Sequence, residues 1–336
     1  MTHKKELLMI DLFCWAWWFT LWFEKKWFKN VFAIDIENDY CETYKTNFPK
    51  NKLIKWDIKE LSNETIKKIV KNKQIDVIIW WPPCQWFSMA WNIWRKFIDD
   101  PRNKLFKEFI RVVGVVQPKY IVMENVARLY THNKWETKKE IIKEFNKHWY
   151  NIECKKLCSA DYWVPQIRNR IIFIWNRLWE KNIFPEINIQ NQVSVKEAIS
   201  HLPKLKSWET SNIINHEAMN HTSQMLEKMS YIKDWWDRNH IPEKLRPKSW
   251  DVRKYIKYNS LKPSICITWD MRKVFHYDQN RALTVRELAC LQSFPENFTF
   301  KWTSISKQQQ VWNAVPPLMA ESLAENILNM IKNEKK

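Results

Sequence analysis

The sequence has almost no glycine: Gly114 is the single one in 336 residues. Globular chains carry about 7% glycine, because tight turns and close approaches to ligands need backbone angles that other residues rarely adopt. The chain instead carries 23 tryptophans, and several stand beside loop motifs, such as Trp17, Trp18, Trp80 and Trp81. We therefore hypothesise that tryptophan and glycine have been exchanged in this sequence. The alternative is a tryptophan-rich surface on which nucleic-acid bases stack.

Other features are missing as well. Residues 1–6 contain no apolar run of secretory length, and no segment reaches the roughly 18 apolar residues of a membrane span. Seven irregularly spaced cysteines do not suggest a disulfide framework, and Cys154 and Cys158 lack a second pair at zinc-ligand spacing. His216 and His221 are too far apart to share a helical face as a metalloprotease pair does. We expect a cytoplasmic protein without a metal site or a membrane span.

Acidic residues are in the minority, with 37 against 55 lysines and arginines, which gives a formal charge of +18. A basic surplus spread along the chain suits a surface that binds phosphates. The alternative is an ordinary solvated face rich in lysine. A hydrophobic content of 45% is enough to bury a full core in one large domain or two moderate ones. The composition therefore favours a nucleic-acid partner.

Apolar runs of strand length alternate with segments of helical period through the first half of the chain. This alternation predicts an α/β fold with a mostly parallel, Rossmann-like sheet that is covered by helices and binds ligands at its carboxyl strand ends. Asp35, Asp57, Cys84 and Glu124 all lie just past predicted strands. The predicted strands are 7–12, 31–36, 53–54, 76–79, 120–123 and 171–174, and the predicted helices are 23–28, 40–48, 105–116, 141–145, 284–287 onward and 318–331.

The alternation stops near residue 176, where the chain becomes polar and rich in lysine. We expect residues 1–175 to form a catalytic domain and residues 176–276 to form a smaller inserted domain. Residues 277–336 should then return to the first domain. Thr284 and Glu287 have the spacing of a capping box and predict the start of a helix in this last part.

The segment Asp11–Phe19 lies between a predicted strand and a predicted helix, which is the setting of a cofactor-binding loop. Asp35, at the end of the second strand, suits the two ribose hydroxyls of a nucleoside cofactor. Asp57 could accept a hydrogen bond from an adenine amino group. Either carboxylate could instead cap a helix.

Cys84 follows two prolines at the end of a predicted strand and near the start of a helix. A thiolate held rigidly there would be exposed and acidified, as a catalytic nucleophile must be. The alternative for an isolated cysteine is a buried structural thiol.

Six segments, taken in order, resemble the conserved elements of the DNA (cytosine-5) methyltransferase family. The resemblance covers residues 7–175 and 277–330, with tryptophan at most positions where that family has glycine. The six segments are Asp11–Phe19, Pro82–Gln85, Glu124–Val126, Gln166–Arg170, Arg281–Pro295 and Gln310–Pro317.

The resemblance implies an S-adenosylmethionine-dependent methyltransferase that acts on cytosine in double-stranded DNA. It implies that Cys84 adds to C6 of the cytosine, that Glu124 binds N3, and that Arg170 binds O2 with Arg168 in support. It assigns no side chain to removal of the C5 proton. By resemblance, the cofactor-binding residues are Phe13, Trp15, Trp17, Asp35, Ile36, Asp57, Ile58, Pro83, Asn313 and Val315.

The target base must leave the duplex to be methylated, and Arg102 resembles a family element near the base-flipping loop, although a surface salt bridge would explain it equally well. The insert at 176–276 corresponds to the family's variable target-recognition region. We expect a monomer, compatible with a partner restriction endonuclease. The alternatives are an RNA cytosine-5 methyltransferase and, if the tryptophans are real, an inactive DNA-binding homologue. A tryptophan side chain at a position suited to glycine overpacks its surroundings, at about 1–3 kcal/mol for each site. Many such sites exceed the stability of a domain, so the chain with its 23 tryptophans is expected neither to fold stably nor to bind cofactor.

Overall fold

The computed structural model describes residues 6–15, 18–80, 104–127, 136–147, 150–187, 192–248, 251, 253–268 and 270–334. The strands are β1 (Leu7–Leu12), β2 (Phe28–Asp35), β3 (Leu53–Lys55), β4 (Val77–Trp80), β5 (Tyr120–Val126), β6 (Asn151–Cys158), β7 (Asn169–Asn176), β8 (Ile256–Lys257) and β9 (Val274–Phe275). The α-helices are α1 (Trp18–Lys25), α2 (Asn38–Asn47), α3 (Asn63–Val70), α4 (Lys104–Val116), α5 (Glu136–Asn146), α6 (Val195–Ile199), α7 (Ser223–Ser230), α8 (Val285–Leu291), α9 (Ser304–Asn313) and α10 (Pro317–Asn333). Short 3-10 helices cover Ile58–Glu60, Ser159–Tyr162, Arg238–His240 and Glu243–Leu245.

Seven strands form one sheet in the order β3-β2-β1-β4-β5-β7-β6. The pairs from β3 to β5 are parallel, and β7 is antiparallel to β5. The predicted α/β class with a mostly parallel sheet is confirmed. The strand order reverses between β1 and β4, and in such sheets ligands bind in the crevice beyond the carboxyl strand ends near this reversal.

Two expectations about element ends are corrected. Glu124 lies inside β5 and not beyond it, because antiparallel pairing continues from Tyr120 to Val126, which faces Arg170. Phe28 begins β2, since helix α1 already ends at Lys25. Glu124 pairs with Ile172 and Val126 pairs with Arg170, so the side chains of Glu124 and Arg170 lie on the same face of the sheet.

The sheet is stable because its central strands are apolar on both faces. The strands β1, β4 and β5 are buried along almost their whole length, as expected of parallel strands covered by helices on both sides. Helix α4 packs on one face, where the rings of Phe109 and Trp80 stack with centroids 3.9 Å apart.

The chain divides into two compact units. The sheet unit contains residues 1–157, 169–186 and 320–336, and the second unit contains residues 158–168 and 187–319. The functional division that we expect at residues 175 and 276 stays a prediction.

The second unit has its own structure. It contains the two-stranded parallel pair β8–β9 and a small core that includes Met229, Ile232 and Ile241. Helix α8 begins with the predicted capping box, in which the Thr284 hydroxyl accepts from the Glu287 N–H and the Glu287 carboxylate accepts from the Thr284 N–H. No helix among the described residues combines the length and the apolar character needed to cross a membrane.

Candidate functional site

A cavity of about 360 Å³ opens in the sheet unit, beside the carboxyl ends of β1, β2 and β3. Six of the ten predicted cofactor-binding residues line it: Phe13, Trp15, Asp35, Ile36, Asp57 and Ile58. Sequence reasoning missed the other lining residues, which are Ile34, Glu37, Tyr40, Trp56, Lys59 and Leu105.

Asp35 is the last residue of β2 and is almost fully buried at the cavity. Its Oδ2 accepts a hydrogen bond from the backbone N–H of Trp15 at 2.8 Å, and its Oδ1 accepts one from that of Glu37 at 2.9 Å. Burial raises the pKa of Asp35 to about 6, although these hydrogen bonds oppose the rise. Each carboxylate oxygen can accept a further donor, so Asp35 can bind hydroxyl groups at physiological pH.

The loop after β1 has the backbone of a glycine loop. Phe13 and Trp15 have φ angles of 59° and 39°, in the left-handed region that glycine enters at little cost. The Trp15 indole stacks on the Tyr40 ring with centroids 5.1 Å apart, and so occupies space at the cavity wall. Trp17 lies outside the described residues.

Asp57 caps the 3-10 helix Ile58–Glu60, because its side chain accepts from the Lys59 backbone N–H at 3.0 Å. The Lys59 ammonium lies 3.3 Å from the other carboxylate oxygen. The capping alternative is therefore realised, while Asp57 also lines the cavity. Ile36 is exposed at the cavity and Ile58 is buried, which gives the cavity apolar walls beside its carboxylates.

A buried polar network lies behind the loop. Asp11, at the end of β1, accepts a hydrogen bond from the Thr20 hydroxyl of α1 at 2.7 Å. The Tyr44 hydroxyl lies 3.4 Å from that of Thr20 and accepts from the Asn30 amide at 2.8 Å. Burial raises the pKa of Asp11 to about 7, and the Thr20 hydrogen bond opposes the rise. The network joins β1, α1, β2 and α2.

Glu124 and Arg170 form an ion pair in the sheet unit. Both side chains are largely buried, at the end where β5 and β7 pair. The structure thus brings together two of the predicted catalytic residues. A carboxyl group and a guanidinium held side by side can bind an amidine-like edge that offers adjacent nitrogen and oxygen atoms.

Arg168, predicted to support Arg170, makes its described contacts in the second unit. Its guanidinium donates to the backbone oxygen of Trp312 at 2.6 Å and to Cys266 Sγ at 3.5 Å. Asn313 ends α9 half-buried, and Val315 is fully buried. The catalytic role of Arg168 and the cofactor contacts of Asn313 and Val315 stay predictions.

Cys84, Pro83 and Arg102 lie outside the described residues. Among the residues that the structure does describe, the six cysteines are free thiols, and no three potential metal ligands cluster together. The His216 ring is engaged by Thr284 and by the backbone oxygen of Pro203, each at 2.9 Å. His221 accepts from the Ala282 N–H at 3.0 Å.

The sequence model of the family described as C-5 cytosine-specific DNA methylase matches residues 7–329. The Type II methyltransferase M1.HphI of Haemophilus parahaemolyticus is 54% identical over 329 residues, which cover 98% of this chain and 88% of that protein. The Type II methyltransferase M.DdeI of Desulfomicrobium norvegicum is 31% identical over 370 residues, which cover 95% and 88%.

Solved structures share the fold over almost the full length. A structure described as an E. coli prophage-encoded DNA modification methyltransferase aligns with a TM-score of 0.78 at 23% identity, covering 97% of this chain and 99% of that one. The Entamoeba histolytica methyltransferase EhMeth aligns with a TM-score of 0.71 at 17% identity, covering 98% and 99%.

Proposed function

The chain belongs to the C-5 cytosine-specific DNA methylase family, and on that premise we propose that it methylates a flipped-out cytosine within a specific duplex sequence through a Cys84 adduct. It is a DNA (cytosine-5) methyltransferase that uses S-adenosylmethionine. The observation that carries the proposal is the Glu124–Arg170 ion pair in the same unit as a cavity suited to a nucleoside.

The cavity fits the cofactor through its hydrogen-bond acceptors and its apolar walls. Asp35 can accept from ribose hydroxyls, Asp57 from the adenine amino group, and Ile36 and Ile58 supply apolar walls for the base. When bound, the cofactor supplies a methyl group on a sulfonium sulfur. Phe13 and the loop backbone would fix its orientation, and Trp17, Pro83, Asn313 and Val315 remain proposed contacts.

Cytosine C5 is a poor nucleophile until the ring is activated. The Cys84 thiolate adds to C6, and the electron pair displaced from the C5–C6 double bond makes C5 nucleophilic toward the methyl group. Glu124 at N3 and Arg170 at O2 stabilise the charge that develops on the ring. A base then removes the C5 proton, the double bond re-forms, and the Cys84 thiolate leaves.

The proposed substrate is double-stranded DNA, and the formal charge of +18 supports phosphate binding. The base must be extruded from the stack to reach the nucleophile. We assign target recognition to residues 176–276. The named relatives are Type II methyltransferases, which supports a role in a restriction–modification system with a cognate endonuclease. We also propose that the protein is monomeric and cytoplasmic.

A trapping experiment tests the Cys84 mechanism. Duplex DNA containing 5-fluorocytosine has no C5 proton to lose, so the enzyme should remain bound through sulfur in a complex stable to denaturant. In the chain with the tryptophan–glycine exchange undone, Cys84→Ser should abolish both the complex and methyl transfer while leaving cofactor affinity within about twofold. Methylation without any trapped complex would contradict the mechanism.

The nucleic-acid class is tested separately. Methyl transfer from labelled cofactor should be measured to duplex DNA and to transfer RNA under the same conditions. We expect the label in DNA. Label in transfer RNA alone would overturn the proposed substrate while leaving the Cys84 chemistry in place.

A further inference from the structure

Glu37 is a cavity-lining carboxylate with no assigned role. It stands at the N-cap position of α2 with extended backbone angles, yet its side chain makes no capping hydrogen bond. It is exposed on the cavity wall. No described residue forms an ion pair or a hydrogen bond with its carboxylate, whereas its own backbone N–H is bound by Asp35.

The charges around Glu37 are unbalanced. Three carboxylates line the cavity, on Asp35, Glu37 and Asp57, and Lys59 is the single cationic side chain among the described lining residues. Lys59 already pairs with Asp57 at 3.3 Å. The cavity is therefore locally negative in a chain whose formal charge is +18, and the surplus is carried by Asp35 and Glu37.

Resting on the proposed cofactor site, we infer that Glu37 binds the cofactor electrostatically and favours the cationic sulfonium over the neutral thioether product. Asp35 is engaged by two backbone N–H groups and is suited to hydroxyl recognition. Glu37 has no such engagement, so its charge acts on the ligand across the cavity. A carboxylate near a sulfonium stabilises S-adenosylmethionine but not S-adenosylhomocysteine. After methyl transfer this attraction is lost, which favours release of the product.

Binding of three compounds isolates the charge effect. Dissociation constants for S-adenosylmethionine, S-adenosylhomocysteine and an analogue with an ammonium group in place of the sulfonium should be measured by calorimetry for Glu37→Gln. We expect roughly fivefold weaker binding of both cationic compounds and less than twofold change for the thioether, as for charges several ångströms apart in partly screened surroundings. The losses should shrink at high salt.

Glu42→Gln is the matched control, because Glu42 is exposed on the same helix, does not line the cavity, and undergoes the same change of charge. It should leave all three constants unchanged. The measurements use two full-length backgrounds: the chain with its 23 tryptophans, and the chain in which tryptophan and glycine are exchanged back at every position, which also removes the two cavity indoles, Trp15 and Trp56.

The outcomes separate this inference from the proposed function. An equal loss for all three compounds would show a neutral contact, such as a hydrogen bond to the ribose, and would overturn the charge role. No change in Glu37→Gln would also overturn it, with the cofactor site intact. Absence of binding in both backgrounds would overturn the cofactor site itself and this inference with it.

Discussion

Tryptophan residues account for seven of the described positions at which the backbone takes a positive φ angle. An L-residue with a side chain pays about 1–2 kcal/mol for this conformation, and glycine does not. The structure therefore supports the exchange hypothesis at these seven positions, where the backbone conformation itself favours glycine. Trp22, Trp80 and Trp175 are buried in regular elements, where the backbone alone does not demand glycine. The seven are Trp15, Trp27, Trp163, Trp179, Trp208, Trp235 and Trp302.

Trp163 gives a sharp residue-scale prediction. It caps the 3-10 helix Ser159–Tyr162 in the left-handed conformation, with φ 61° and a side chain that is 55% exposed. Trp163→Gly should raise the free energy of unfolding by about 1 kcal/mol, because the strain is relieved and little burial is lost. Urea denaturation measures the change.

Trp163→Ala is the control for that substitution. Alanine removes the same indole but keeps the Cβ, so it should be about 1 kcal/mol less stable than the glycine variant. Equal stability of the two variants would show that the positive φ carries no strain at this site.

At the scale of elements, the Asp11–Thr20 hydrogen bond joins β1 to α1 in the sheet unit. Folding raises the pKa of Asp11 from 3.8 to about 7, mainly through burial. The folded protein therefore holds this proton more tightly than the unfolded chain does. The free energy of unfolding should rise as the pH falls through about 7 toward 4.

Asp11→Asn should remove most of this dependence between pH 8 and pH 6, measured by urea denaturation at each pH. The difference in the free energy of unfolding between the Asp11 protein and Asp11→Asn should change by at most about 4 kcal/mol across the whole titration of Asp11. Asp35, whose pKa is raised to about 6, continues the same trend below pH 6 in both proteins. Parallel profiles from pH 8 to pH 6 would contradict a raised pKa at Asp11.

The central elements were predictable because their apolar runs are continuous. The predicted bounds of β1 match the observed Leu7–Leu12, and α4 begins one residue earlier than predicted. Strand β6 was missed, since Asn151–Cys158 is mostly half-buried or exposed and includes two lysines, so no apolar run marks it. Helix α3 was missed for a similar reason, because it is short and polar.

The candidate site was predictable where a residue stands at the end of a strand, as Asp35 does. Glu37, Tyr40 and Leu105 were not, because their place at the cavity depends on how α2 and α4 pack and not on a local pattern. The contact between Arg168 and the Trp312 carbonyl joins residues 144 positions apart. Only the folded chain reveals such a contact.

For the whole molecule, the seven strained tryptophans lie in separate loops and helix ends of both units. Distant sites contribute additively to stability. Seven positions at about 1–2 kcal/mol each would cancel roughly the whole 5–15 kcal/mol by which a domain is stable. One chain-wide substitution of residue type explains this pattern better than seven independent replacements, so we predict that the functional protein carries glycine at these positions.

Intact-mass spectrometry of the protein purified from its natural source tests that prediction directly. The mass should fall below the 41.3 kDa of the sequence with 23 tryptophans, because hydrogen replaces the indolylmethyl side chain at each position where glycine stands instead. Peptide sequencing should place glycine at residues 15, 27, 163, 179, 208, 235 and 302. A cooperatively folded, cofactor-binding protein whose mass accounts for all 23 tryptophans would overturn the exchange. It would also require each left-handed indole to be held in place by contacts that offset its strain.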